Sequence, residues 1–143
     1  MITILALDPG RTTGYAIGRK DEHALKINYS QEQWNHRELA SFIQKIKPNY
    51  TICESFEFRQ GKQTGIDLYP CELIGVVKFL CDSDHLWMQT AAQGKGYFSD
   101  LKLKDMQLYK KGFQHGRDAC RHLLQWYYFG SGSQHDDGVP ITF

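Results

Sequence analysis

The chain has 143 residues, 41% hydrophobic and 23% charged, with a net charge of +1, the profile of one ordinary globular domain with a single core. No stretch is apolar for long enough to span a bilayer, and Met1–Leu7 lacks a basic leader before it runs into Asp8, so a cytoplasmic chain without signal peptide or membrane association is expected. Cys53, Cys71, Cys81 and Cys120 form no C-x-x-C pair, which points to reduced thiols and away from a zinc site or disulfide framework.

Residues 2–8 are an apolar run ending in Asp-Pro-Gly, a buried strand stopped by a turn. Residues 13–19 and 24–30 read as two further short strands, and the close connections predict an antiparallel meander. A helix follows, with Asn35 as its cap and Glu38 three residues later as in a capping box. Leu39, Phe42, Ile43 and Ile46 fall on one face, and Pro48 ends the helix.

Residues 50–56 predict a fourth strand and the polar 57–69 a loop. Pro70 suits a helix start, and 71–81 are apolar on nearly every face; such a helix needs cover on both sides, from the sheet and from another helix or subunit. Residues 85–89 predict a fifth strand, 90–103 a glycine- and lysine-bearing loop, and 104–111 a short helix. Residues 117–129 form a last helix with Ala119, Leu123, Trp126 and Tyr127 inward, and 130–143 read as a flexible tail. The fold class is thus α/β: a mixed five-stranded sheet in the order βββαβαβα, flanked by helices, in one domain over 1–129.

Charge is unevenly spread. Residues 95–121 carry seven basic and three acidic groups, whereas 1–94 are close to neutral and 122–143 hold only Asp136 and Asp137. A basic segment beside a neutral body fits a phosphate-tracking face, and equally a solvated lysine-rich surface.

Three acids stand out. Asp8 ends an apolar strand, a fixed place for a metal-binding carboxylate, although Asp-Pro-Gly is also an ordinary turn. Glu54 lies inside the apolar run 51–55, where a carboxylate is costly unless paired or metal-bound; Glu57 lies beyond that run. Asp118 opens the last helix, where an acid also complements the helix dipole, and His115 precedes it by three residues. Acids converging at one sheet edge, without a thiol or Ser–His nucleophile nearby in sequence, suit metal-dependent phosphodiester hydrolysis. His122, four residues after Asp118, reads as a helix-surface histidine, with support of the metal ligands from behind as the alternative.

Leu5-Ala6-Leu7-Asp8-Pro9-Gly10, with Thr13-Gly14-Tyr15-Ala16 downstream, resembles the opening strand and turn of RuvC-type Holliday-junction resolvases, which are RNase H-like nucleases. Ile52-Cys53-Glu54-Ser55-Phe56 resembles their second acidic motif, Gly94-Lys95-Gly96 a DNA-contacting stretch, and His115-Gly116-Arg117-Asp118-Ala119 their final metal motif. The resemblance covers most of residues 1–129. It implies an RNase H-like fold and a homodimeric endonuclease using Mg²⁺ or Mn²⁺, two ions per site. The enzyme would nick four-way junctions, and other branched DNA, in symmetrical pairs during recombination and repair. By the same resemblance Asp8, Glu54, His115 and Asp118 are the catalytic, metal-binding set, Lys95, Lys102, Lys104 and Arg117 approach DNA, and Phe56 or Phe58 stacks at the opened junction. The short chain is similar to compact bacteriophage members, which would place it in a host cytoplasm.

Other readings remain open at this point. The Asp-Pro-Gly turn also fits the sugar-kinase and actin ATPases, but that fold needs two related lobes. A non-catalytic junction binder fits poorly with a full set of acids. An RNA–DNA hybrid or structured RNA as substrate fits the same residues.

Overall fold

The structure is a computed structural model that describes residues 1–57 and 65–143. Three strands, β1 (Ile2–Asp8), β2 (Thr13–Lys20) and β3 (Leu25–Glu32), form the expected antiparallel meander. Helix α1 (His36–Ile46) leads to β4 (Tyr50–Glu54), which lies parallel to β1. Helix α2 (Tyr69–Leu80) leads through a 3-10 turn at Ser83–His85 to β5 (Leu86–Gln89), parallel to β4. Then come α3 (Ala91–Lys95), α4 (Asp100–Asp105), α5 (Gln114–Phe129), a 3-10 turn at Ser131–His135 and β6 (Ile141–Thr142). The sheet order is β5-β4-β1-β2-β3-β6.

The central strand explains its own sequence. Ile4, Leu5, Ala6 and Leu7 are all fully buried because both faces of β1 are covered. Alternation sends Ile4 and Ala6 into the core built on α5, with Leu123, Leu124 and Tyr127. Leu5 and Leu7 face the other core, with Leu39 and Ile43 of α1 and Leu73 and Val77 of α2.

Helix α1 starts where the capping box predicts. Asn35 Oδ1 accepts from the Glu38 backbone N–H at 2.8 Å, and Glu38 Oε1 accepts from that of Asn35 at 3.2 Å. It closes with Lys47 in a left-handed conformation ahead of Pro48. Asn35→Ala should therefore lower unfolding stability by about 1 kcal/mol, read as a shifted denaturant midpoint with unchanged slope. Helix α2 gets its cover from the sheet and α1, which bury Leu73, Ile74 and Val77. Its outer side has no cover among the described residues: Gly75 faces open space and Phe79 is 87% exposed.

The second half departs from the sequence reading in four places. Residues 90–103 are largely helical, because Thr90 and Gln93 form a capping box and Ser99 caps α4. The short helix expected over 104–111 is instead Asp100–Asp105; the chain then turns through Gln107, at a φ of 60°, and buries Leu108. Helix α5 begins at Gln114, so His115 lies in its first turn. Residues 130–143, expected as a flexible tail, contribute a sixth strand where five were expected. Ile141 and Thr142 pair in parallel with Leu25 and Lys26, Gly132 packs on the Trp126 ring, and Lys20 Nζ donates to Asp137 at 2.9 Å. Among the described residues no helix is long and apolar enough to cross a membrane.

Candidate active site

Parallel pairing places the carboxyl ends of β1, β4 and β5 side by side, and those ends are Asp8, Glu54 and Gln89. The amino-terminal turn of α5 comes to the same edge. This approach depends on two glycines. A Cβ on Gly14 would overlap the His115 backbone carbonyl, and one on Gly116 would come within 2.8 Å of the Ser30 carbonyl oxygen. The helix start therefore lies against β2 and β3, tied further by Gln31, which accepts from the His115 backbone N–H at 3.0 Å. The Asp-Pro-Gly turn is closed by buried Thr13, whose hydroxyl donates to the Gly10 carbonyl at 3.1 Å.

The result is one cluster. Donor atoms of Asp8, His115 and Asp118 all lie within 4.8 Å of one another. Asp8 Oδ2 is 3.2 Å from His115 Nδ1, and the His115 side chain is 45% exposed. Glu54 adjoins from the β4 side, hydrogen-bonded to Asp8. An open cleft of about 470 Å³ is lined by these four residues together with Arg11, Asp67 and Lys95.

The electrostatics separate the two strand-end carboxyls. Burial, then the hydrogen bond and charge of Glu54, then the charge of Asp118, push Asp8 up to about 9. Burial also works against the charged form of Glu54, but the hydrogen bonds from His122 and Asp8 overcome it and hold Glu54 down at about 2. The two carboxyls thus share a hydrogen bond in which the charged form is favoured on Glu54 and disfavoured on Asp8. Such crowding of acids, with a half-exposed imidazole in reach, fits a hard divalent cation, for which carboxylate oxygens are the preferred protein ligands.

Further residues complete the surround. His122 is not on the surface: it is 1% exposed, with Nδ1 2.7 Å from Gln89 Oε1 and Nε2 3.5 Å from Glu54 Oε2. It fixes the orientation of Glu54. Gly94 is required above it, since a Cβ there would come within 2.5 Å of the His122 ring. That packing brings Lys95 Nζ to 3.9 Å from Asp118 Oδ2. Arg121 donates to Asp118 at 2.7 Å and also pairs with Asp100, tying α4 to the site.

The remaining predicted contacts fall in different places. Arg117, expected at DNA, has a side chain only 11% exposed; it donates to the Lys110 carbonyl at 2.7 Å, lies 3.5 Å from Asp100 and stacks on Tyr109. It is an internal strut with little surface left for a phosphate. Lys102 and Lys104 project from α4, over the rings of Tyr97 and Tyr109. Phe56 is half-buried and packs into the core beneath the site, where with Glu57 it lines a second cleft that reaches Asp8 and Glu54. Phe58 lies outside the described residues.

The sequence matches no protein-family model and no curated relative. Solved structures do resemble the fold. RuvC of Thermus thermophilus superposes with a TM-score of 0.65 at 14% identity, over 92% of this chain and 97% of that one. The same protein in complex with a Holliday junction substrate gives 0.66 at 13%, over 97% and 99%. The fowlpox virus Holliday junction resolvase gives 0.57 at 16%, over 89% and 99%. The chain has the RuvC-like, RNase H-type fold, with six strands in its sheet.

Proposed function

We propose that this protein is a divalent-metal-dependent endonuclease that resolves four-way DNA junctions and acts on related branched DNA. The observation that carries the reading is the convergence of Asp8, Glu54, His115 and Asp118 at one edge of a RuvC-like sheet. The solved structures of this fold include a resolvase bound to a Holliday junction.

Asp8, His115 and Asp118, with Glu54 beside them, would hold Mg²⁺ or Mn²⁺, two ions in the arrangement the family resemblance implies. When bound, such ions activate water and stabilise charge on a phosphodiester. The chain supplies the rest. Glu54 stays ionised and oriented by His122, and Arg121 fixes Asp118. His115 stands half-exposed beside Asp8, where it can hold or pass a proton at the cleft mouth. Lys95 offsets part of the negative charge of the floor and, with Lys102 and Lys104 further along, supplies cations for the substrate backbone. Phe56 borders the opening.

Symmetrical nicking requires two sites facing two strands, so the working form is a homodimer. The uncovered side of α2, where Phe79 is exposed near Gly75, offers a surface for it. The site of action is DNA in the cytoplasm, a host's if the chain is phage-encoded.

A gel assay tests this reading with a labelled four-way junction, a matched linear duplex and an RNA–DNA hybrid, in Mg²⁺, Mn²⁺ or chelator. Paired, metal-dependent nicks confined to branched DNA are expected. Cleavage of the hybrid alone would transfer the site to RNA. Binding without cleavage in any metal would make the protein a junction binder. Light scattering after size exclusion should show a dimer at tens of micromolar, and monomer alone would remove the basis for paired nicks.

A further inference from the structure

Arg11 follows the Asp8 turn by one residue and lines the same cleft as the four clustered side chains. Its Nε and Nη2 donate to the two carboxylate oxygens of Asp67, at 3.0 and 3.2 Å. Its guanidinium also lies 5.0 Å from the centre of the Tyr69 ring. Asp67 is itself fixed by accepting from the Tyr69 backbone N–H at 3.0 Å.

Nothing in the fold demands this pair. The Arg11 side chain is 74% exposed and that of Asp67 is 42% exposed. Such exposed pairs contribute little to stability, so exchanging the carboxylate for another anion costs little. A guanidinium fork binds carboxylate and phosphate with the same two parallel hydrogen bonds. The Tyr69 ring keeps that fork aimed whichever anion it holds. Among the described residues that line the cleft, Lys95 is drawn to Asp118 on the floor, whereas Arg11 is held at the rim by an exposed carboxylate and the face of Tyr69.

We propose that Arg11 binds a backbone phosphate of the substrate strand, and that Asp67 is its resident competitor. The pair then sets substrate affinity: Asp67 occupies the fork until a phosphate displaces it. This rests on the nucleic-acid reading of the site given above.

Fluorescence anisotropy in chelator, over a range of salt, tests it on a labelled four-way junction and on a linear duplex. Arg11→Ala should weaken binding about tenfold and lower the salt slope by about one phosphate contact. Arg11→Lys should fall between, having charge without the fork. Asp67→Asn should do the opposite and tighten binding severalfold. Opposite signs are the signature, because a mere clamp on residues 65–69 would weaken binding when either partner is lost and lower both melting temperatures alike. Weaker binding by Asp67→Asn, or an unchanged salt slope in Arg11→Ala, overturns the proposal; if Arg11→Ala fails to fold, Asp67→Asn decides alone. Phosphate contacts are read on any duplex. A parent protein that binds junction and duplex equally would therefore defeat the junction reading while the duplex data still judged Arg11 and Asp67. Binding of neither would defeat both.

Discussion

Asp8→Asn should melt at a higher temperature than the parent protein in chelator, and should lose metal-dependent cleavage altogether. The first half follows from linkage. The Asp8 carboxyl is raised from about 3.8 to about 9, by burial first and then by Glu54 and Asp118. Between those values the native state binds more protons than the unfolded chain, so this group makes stability fall as pH rises. Glu54 acts in the opposite sense and in another window: its contribution is complete above about 4.5 and is lost as pH falls towards 2. From pH 6 to pH 9 the Asp8 contribution therefore governs, and the metal-free protein should become steadily less stable. Asparagine removes the titrating group and keeps the shape, so the slope should flatten and the melting temperature rise by several degrees.

Added Mg²⁺ or Mn²⁺ should reverse the order. A ligand that binds only the folded state stabilises it by about 2.7 kcal/mol at a hundred times its dissociation constant. Asp8 must give up its proton to act as a ligand, so the cation-induced rise should grow with pH up to about 9. The Asn variant should show little of that rise. Thermal melting in chelator and in each metal, at pH 6, 7.5 and 9, separates the cases. A variant that melts lower in chelator makes Asp8 a structural acid. An undiminished cation shift in the variant puts the cation elsewhere.

How much of this was legible in the sequence depends on how local each signal is. The first strand, its stop at Asp-Pro-Gly and the Asn35 capping box are written in consecutive residues, and they appear where predicted. The convergence of the four site residues required only that parallel strands end together and that α5 start near them. His122 is read first as a surface residue, although a signal for its burial exists. It lies three residues after Ala119 and four before Trp126, on the inward stripe of α5, and a polar residue there needs a buried partner. Helices α3 and α4 were hidden by glycine and lysine content, yet Thr90 with Gln93 satisfies the capping-box spacing. Arg117 could not be read correctly, because its partners Asp100 and Lys110 reach it only through tertiary packing. The two-residue β6 carries no periodicity at all, and its place beside Leu25 is decided by Lys20–Asp137 and the Pro140 carbonyl, which accepts from the Leu25 N–H at 3.0 Å.

The same contrast between local and packed information gives a second large effect. Gly14→Ala should cost more activity than stability, and both losses should be large. Gly14 is paired with Asp8 across β1 and β2. A methyl group there would occupy the space of the His115 carbonyl, which is main chain and cannot rotate away. Either β2 or the first turn of α5 must shift. Overpacking typically costs about 1–3 kcal/mol, and a backbone collision belongs at the upper end. The moving part is the turn that carries His115 and Asp118, and a displacement of about 1 Å at a catalytic group can cost on the order of a hundredfold in rate. Gly75→Ala on the open side of α2 is the matched control for stability: within the protomer its Cβ meets nothing, so helix propensity alone should stabilise it by about 0.5–1 kcal/mol. Denaturant melts and single-turnover cleavage of the junction measure the two losses separately. If Gly14→Ala matched the parent in both, the start of α5 would not be held by its contact with β2, and the packing account of the site would fail.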